Sequence, residues 1–167
     1  LKDTFIEFLH HVPFYGLTVM CVDDPGVREV LAHISKPIRT YGAREEADIR
    51  AIDVKQQGLC TTFTVQRWDE HKDITVTLNM PGWHNMLNAL AAITLVENQL
   101  KNNDFMLGNT YTLADVIWTV ALSRLDLLGY SKWLDKETFP EISSYYLRMQ
   151  QRKSYTLAQI QNEWWDK

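Results

Sequence analysis

The apolar residues of this chain change their period once, and that change limits what the chain can fold into. Up to Leu78 most of them stand in short runs or in strict alternation; from His84 onward they recur every three or four residues. Side chains alternate between the two sides of a strand, whereas on a helix they return to one face after about 3.6 residues. The first stretch therefore supplies a sheet and the second a set of helices. Strands followed by helices, rather than a regular alternation of the two, mean an α+β chain or two joined parts.

Within the first stretch, residues 3–11 read as a helix carrying Phe5, Ile6, Phe8 and Leu9 on one broad face, ended by Pro13. Leu17 to Val22 is a nearly continuous apolar run, as expected of a strand buried on both faces. Asp24-Pro25 reads as an N-cap with proline at the first helical position, opening a helix to about Ile34. Ile38 to Tyr41 is a short strand. Segments beginning at Ile49, Leu59 and Ile74 alternate and are separated by turns at Gly58 and at 69–73, which predicts an antiparallel meander with one wet face.

Helices are expected over about His84–Asn102, Thr112–Leu128, Glu141–Arg152 and Tyr155–Trp164. Thr112 and Asp115 have the spacing of a capping box, with Thr112 accepting from the Asp115 amide and Asp115 accepting from the cap amide. Tyr111 and Val116 flank it as a hydrophobic staple, and the helix that follows is expected to bury Val116, Ile117, Val120 and Leu125. The predicted domains are 1–93 and 94–167. The junction falls inside a predicted helix, where Ala89 to Ile93 runs into Thr94 to Glu97 without breaking the apolar period.

The 167 residues carry a net charge of −4, and residues 1–93 hold 9 basic and 12 acidic side chains, so neither part is a charged tail. This mild acidic balance argues against general binding to nucleic acid or to anionic membranes. No apolar stretch approaches a membrane span and no basic segment leads into an apolar run, so a cytoplasmic protein is expected. The first residue is Leu1, and the expectation is a start internal to a longer gene or set by processing. Cys21 and Cys60 form no metal-binding spacing, and Cys21, in an apolar run, is expected to be a buried thiol. Asp23-Asp24 reads as a cap and turn more readily than as a metal pair, and adjacent His10 and His11 point apart on a helix. No catalytic residue and no metal ligand is assigned.

Three groups of residues hold their order over about 90 positions: Phe5-Ile6-Glu7-Phe8-Leu9-His10 with Pro13-Phe14-Tyr15-Gly16, Val19 to Pro25 with Thr40-Tyr41-Gly42, and Thr77-Leu78-Asn79 with Pro81-Gly82 and His84 to Ala89. On these, residues 4–93 resemble the central ATPase domain of the Mur ligase family, in its UDP-N-acetylmuramate–L-alanine ligase branch. That family joins a carboxylate to an amine with ATP in peptidoglycan synthesis. The resemblance implies that His84, Asn85 and Asn88 open a helix beside the adenine, where an asparagine amide offers a donor and an acceptor. Read from spacing alone, one asparagine caps the helix and the other is solvated. The family's phosphate loop needs a Gly-Lys segment, and this chain has no Gly-Lys dipeptide. By the resemblance that loop, and the glutamate and histidine that bind magnesium, lie upstream of Leu1. The only cofactor implied is ATP with magnesium, and the only small-molecule partner an adenine nucleotide, held weakly.

A second set comprises Phe105-Met106-Leu107-Gly108, Tyr111 to Val116, Leu125 to Gly129, Pro140-Glu141-Ile142, Tyr145-Tyr146 and Arg148-Met149. On it, residues 95–160 resemble the C-terminal helical domain of glutathione transferases, nearest the ganglioside-induced-differentiation-associated branch. The glutathione-holding domain of that family would precede residue 95, where the Mur-like part stands. Trp118, Trp133, Tyr145 and Tyr146 read as core aromatics or as the lining of an apolar pocket, and Trp164-Trp165 as a cover for an apolar patch or a partner contact. The expected fold is thus a composite: a partial Mur-ligase α/β domain with a small antiparallel meander, then an all-α transferase-like bundle. Three readings of function stand at this point. The chain is a ligase fragment unable to catalyse alone, or a non-catalytic ligand-binding or interaction module able to self-associate through its helical part, or a chimera without evolved function.

Overall fold

A computed structural model describes residues 2–14, 16–67, 73–127, 129 and 134–158. The chain divides into two compact units, residues 1–95 and 96–167. The elements of the first are α1 (Lys2–His10), β1 (Thr18–Cys21), α2 (Pro25–Leu31), β2 (Ile38–Gly42), β3 (Ile49–Gln57), β4 (Cys60–Arg67), β5 (Ile74–Leu78) and most of α3 (Trp83–Lys101).

The five strands form one sheet in sequence order. Strands β1 and β2 are parallel and in register from Thr18↔Ile38 to Cys21↔Tyr41, with α2 as the crossover. Strand β3 is also parallel to β2, yet only residues 43–48 join them. The register explains this: the end of β2 pairs with the start of β3, at Tyr41↔Ile49 and Gly42↔Arg50, so the chain need not travel back before pairing. Strands β3, β4 and β5 are antiparallel, which is the meander read from the sequence, here continuous with the parallel part.

The meander is dry on one side only. Ile49, Ala51, Phe63, Val65, Ile74 and Val76 are buried, while the Thr62–Thr77 hydroxyl pair lies on the exposed face. Gly58, with φ 59, is the first residue of the two-residue β3–β4 turn, where a left-handed backbone matches the strand twist. One extra residue enters β3 between Ile52 and Lys55, and Asp53 there has φ 52. Aspartate tolerates that conformation better than a branched residue does. A second cluster joins Leu9 of α1, Met20 of β1 and Val30 of α2, with Ile6, Val27 and Ile38 against it. The Lys36 ammonium donates to the carbonyls of His10 and Val12, satisfying acceptors left open where α1 ends.

Helix α3 does not bury one continuous stripe, contrary to the in-register stripe read from the sequence. Met86, Leu90 and Thr94 are buried at intervals of four, and then Val96 and Leu100. Thr94 and Val96 are two apart and face different ways on a helix, so the buried face changes between them. Thr94 is tolerated inside because its hydroxyl donates to the Leu90 carbonyl at 2.7 Å.

The second unit holds the end of α3, α4 (Leu113–Leu127), α5 (Pro140–Gln150) and α6 (Lys153–Ala158). Its core is Val96, Leu100, Met106, Leu122, Tyr145, Tyr146 and Met149. Tyr145 and Tyr146 are core aromatics, Trp118 is half-buried against them, and Trp133 and Trp164-Trp165 lie outside the described residues. Helix α4 turns inward the face opposite to the one expected. Asp115, Thr119 and Leu122 are buried, whereas Val116, Ile117, Val120 and Leu125 are exposed. The helix is apolar on both sides, so periodicity does not choose the inner face; the partners of Asp115 do.

Candidate functional site

The three residues implied for adenine recognition stand together on the first two turns of α3. The connection that leads into it is held by β4: the Thr61 hydroxyl donates to the Met80 carbonyl at 2.9 Å, and the Cys60 thiol donates to Asn79 Oδ1 at 3.5 Å. Gly82 then turns the chain with φ 104, and a β-carbon there would lie 2.8 Å from Cε1 of His84. The amides of Asn85 and Met86 donate back to the Gly82 carbonyl at 3.1 and 3.4 Å and open the helix. His84 and Asn88 are exposed, and Asn85 is half-buried.

Asn85 is already engaged. Its side-chain amide donates to the Pro81 carbonyl at 2.7 Å. An amide nitrogen carries two hydrogens, so the second hydrogen and Oδ1 remain for a ligand. Asn85 is thus both a brace at the helix start and a partly committed recognition group, while Asn88, three residues on, shares its side of the helix. Trp83, 51% exposed, and Met80, 50% exposed, put apolar surface beside these amides. The residues that sequence reasoning passed over here are Pro81, whose carbonyl holds Asn85, and Trp83; the Pro-Gly pair before the helix was the available signal.

The carboxylates at the ends of the parallel strands serve the backbone. Asp24 caps α2, accepting from the Val27 amide at 2.9 Å with Pro25 beside it. Asp23 accepts from the Ala43 amide at 2.9 and 3.1 Å and from the Arg44 amide at 3.3 Å, tying the end of β1 to the turn after β2. A β-carbon on Gly42 would sit 2.4 Å from Asp23 Oδ1, so glycine is needed for this closure. Asp48 accepts from the Thr40 amide at 2.8 Å and the Thr40 hydroxyl at 3.0 Å. No group of three or more metal-ligating side chains occurs among the described residues, and His11 Nδ1 is bonded to the Glu7 carbonyl of its own helix. Cys21 is half-buried rather than buried, because it ends β1 next to Tyr41. Burial, with Cys21 and Asp23 nearby, pushes the Tyr41 hydroxyl above its ordinary value.

In the second unit the polar centre is Asp115. Its Oδ2 accepts from the Thr112 amide at 2.8 Å, which is the return half of the expected capping box. The other half differs: the Thr112 hydroxyl donates to the same oxygen at 3.1 Å, drawn in by the negative charge. Oδ1 accepts from the Met106 amide at 2.8 Å and the Tyr145 hydroxyl at 3.1 Å. Burial alone would raise this carboxyl; the donated bonds, from the Met106 and Thr112 amides foremost, outweigh it and hold it below its ordinary range. Tyr111 does not staple Val116, which is exposed; its ring meets Phe105 edge-on at 5.7 Å and the Arg152 guanidinium at 3.6 Å.

Comparison with known proteins divides along the same chain. Residues 1–96 match the model of the Mur ligase middle domain, and residues 84–153 match that of the glutathione S-transferase C-terminal domain, so both matches include the first half of α3. The chain is 58% identical over 93 residues to a UDP-N-acetylmuramate–L-alanine ligase of Methylococcus capsulatus, a match covering 56% of this chain and 20% of that protein. It thus spans about a fifth of the length of that relative. Among solved structures it resembles MurF from Acinetobacter baumannii, at 21% identity and a TM-score of 0.48 over 56% of this chain and 20% of that one. It also resembles a UDP-N-acetylmuramoylalanyl-D-glutamyl-2,6-diaminopimelate–D-alanyl-D-alanyl ligase from Acinetobacter baumannii, at 20% identity and 0.48 over the same shares. No helix among the described residues is long and apolar enough to cross a membrane. Through residues 1–96 the chain belongs to the Mur ligase middle-domain family, and it joins that part to a glutathione S-transferase C-terminal-domain segment.

Proposed function

We propose that this chain carries the adenine-facing segment of an ATP-dependent peptidoglycan ligase, that it binds adenine nucleotide weakly through Asn85 and Asn88, and that alone it completes neither parent reaction. The observation that supports this is the start of α3: Asn85 is held by the Pro81 carbonyl with its Oδ1 and one amide hydrogen left over, and Asn88 is exposed beside it. These groups suit the edge of a purine, and Trp83 and Met80 add apolar surface beside them. Phosphate contacts in this family come from a Gly-Lys loop, and the 167 residues contain no such dipeptide. Without them the affinity rests on the base alone.

Calorimetric titration of the full chain with magnesium-ATP and with adenosine tests this reading. Binding of both, with similar dissociation constants of about 1 mM or weaker, is expected, since a few contacts to a base supply about 4 kcal/mol. Micromolar ATP affinity, or adenosine binding unchanged in Asn88→Ala, would overturn it. So would alanine-dependent ATP hydrolysis with UDP-N-acetylmuramate, or conjugation of glutathione, by the chain alone. The transferase-like part is proposed to be a folded companion of this segment; the Asp115 network at its centre is a folding device that offers no reacting group.

A further inference from the structure

We propose that the outward face of α4 is the interface of a two-fold dimer, in which the α4 helices of two copies of this chain lie antiparallel with Val120 at the axis. That face is a row at helical spacing: Leu113 is 72%, Val116 41%, Ile117 62%, Val120 65% and Leu127 61% exposed. Five large apolar side chains on the outside of one helix mark a surface that something covers. The opposite face is already used, since Asp115, Thr119 and Leu122 are buried there.

The pattern of the row selects a second copy. It is nearly symmetric about its own midpoint: Leu113 and Leu127 each stand seven residues from Val120, Val116 and Arg124 four, and Ile117 and Ser123 three. Turned about a two-fold axis at Val120, the row meets itself running the other way. Leu113 of one protomer then faces the partner's Leu127, and branched Ile117 faces the partner's small Ser123. A two-fold dimer demands such a self-complementary patch, whereas a foreign partner imposes no symmetry on it. The spacing of seven between Leu113, Val120 and Leu127 is the one that keeps a seam turned toward a neighbouring helix. Ser123 brings no unpaired group into the seam, because its hydroxyl accepts from the Tyr155 hydroxyl at 3.4 Å.

Charge sets the direction. Arg124 is the one charged residue among these positions. In a parallel pair the two Arg124 side chains would meet at the same level. In the antiparallel pair they stand eight residues apart, about 12 Å along the axis, which is beyond the screening length of about 8 Å at physiological salt. Each stem then covers the partner's Val116 while its head stays in water. At the exposures above, the five apolar residues present roughly 500 Å² per copy, so two rows bury about 1,000 Å², the lower bound of a specific contact. The dimer is accordingly weak, with a dissociation constant on the order of 10–100 μM.

Sedimentation velocity of the full chain from about 5 to about 500 μM tests this. The expected result is a mass that rises from one chain toward two across that range, and that stays at one chain in Val120→Glu and in Ile117→Glu. Both positions are exposed, so the variants keep the fold, which circular dichroism checks. In a Cys21→Ser, Cys60→Ser background, Val120→Cys should oxidise to a covalent dimer at least ten-fold faster than Leu147→Cys, an exposed apolar position on α5. A chain that stays monomeric throughout overturns the proposal. So does a dimer of unchanged affinity in Val120→Glu, which would place the contact on another surface, and so does equal oxidation of the two cysteine variants.

Discussion

The Tyr145 hydroxyl, on α5, donates at 3.1 Å to Oδ1 of Asp115, on α4, thirty residues earlier in the chain. The contact joins two helices, and it sets which face of α4 turns inward. A fully buried carboxylate with four donors is secured in one position only. Turning the helix to bury Val116 and Ile117 instead would strip those donors away, and a buried charge without partners is costlier than exposed valine and isoleucine.

It follows that Asp115→Ala should destabilise the helical unit by about 3–5 kcal/mol, since it leaves the Met106 and Thr112 amides without their acceptor. Tyr145→Phe keeps the ring and removes one bond to a charged group, and should cost about 1.5–3 kcal/mol. Urea unfolding followed by near-ultraviolet circular dichroism measures both. A loss in Asp115→Ala no greater than in Tyr145→Phe would show that the carboxylate is not the centre of the network.

The same residues set a pH dependence. Asp115 in the folded chain lies below its ordinary 3.8, so its contribution is fully present above that value and is lost as pH falls through it and on through the lower folded value. Burial, with the Tyr155 hydroxyl beside it, pushes Tyr146 up to about 12. Burial, then the Asp115 charge, pushes Tyr145 up as well. Stability from the two tyrosines is present below their ordinary 10.0 and is lost as pH rises from there toward about 12. Urea titrations across this range should show a neutral plateau with falling limbs on both sides, and Asp115→Asn should flatten the acid limb and, by removing the charge beside Tyr145, shrink that tyrosine's share of the alkaline limb.

Local chemistry made much of this legible. Asp24-Pro25, the Gly58 turn and the Pro81-Gly82 break each act within a few residues, and each stands where the sequence places it. So does the alternating meander, because a sheet with one wet face writes its burial into every second residue. Where α4 faces was not legible, since its apolar residues lie on both sides and the deciding bonds come from Met106 and from Tyr145, nine and thirty residues away. Along α3 the sequence shows an unbroken apolar period while the buried face changes between Thr94 and Val96; Leu95, read as part of the stripe, is 44% exposed. The candidate site was legible as a set of residue types. That Asn85 braces the chain at Pro81 was not, because a backbone carbonyl leaves no mark on the sequence.

Gly42 gives a steric prediction. With a β-carbon 2.4 Å from Asp23 Oδ1, Gly42→Ala must push the carboxylate off the Ala43 amide. The expected cost is about 1–3 kcal/mol, as for other overpacked positions. Adding Asp23→Ser, which removes the clashing oxygen and keeps a short acceptor, should recover part of that loss. A double variant no more stable than Gly42→Ala would locate the strain elsewhere, and thermal unfolding monitored at the sheet signal is the measurement.

Asn85 and Asn88 should separate stability from recognition. Asn85 holds the start of α3 through the Pro81 carbonyl, so Asn85→Ala loses a hydrogen bond and should cost about 0.5–1.5 kcal/mol in stability. Asn88 is exposed, and Asn88→Ala should change stability by about 0.5 kcal/mol or less. If both amides meet the purine, each variant weakens nucleotide binding, but only Asn85→Ala also lowers the unfolding midpoint. Asn85→Asp sharpens the distinction. A carboxylate cannot donate to Pro81, and it sets two acceptors where the base requires a donor, so both properties should fall further than in the alanine variant. Comparing unfolding midpoints with the chemical-shift change that saturating adenosine induces at the α3 amides would resolve the two roles. An Asn85→Ala chain with unchanged stability would show that the Pro81 bond contributes nothing, and the helix start would then rest on the Gly82 turn alone.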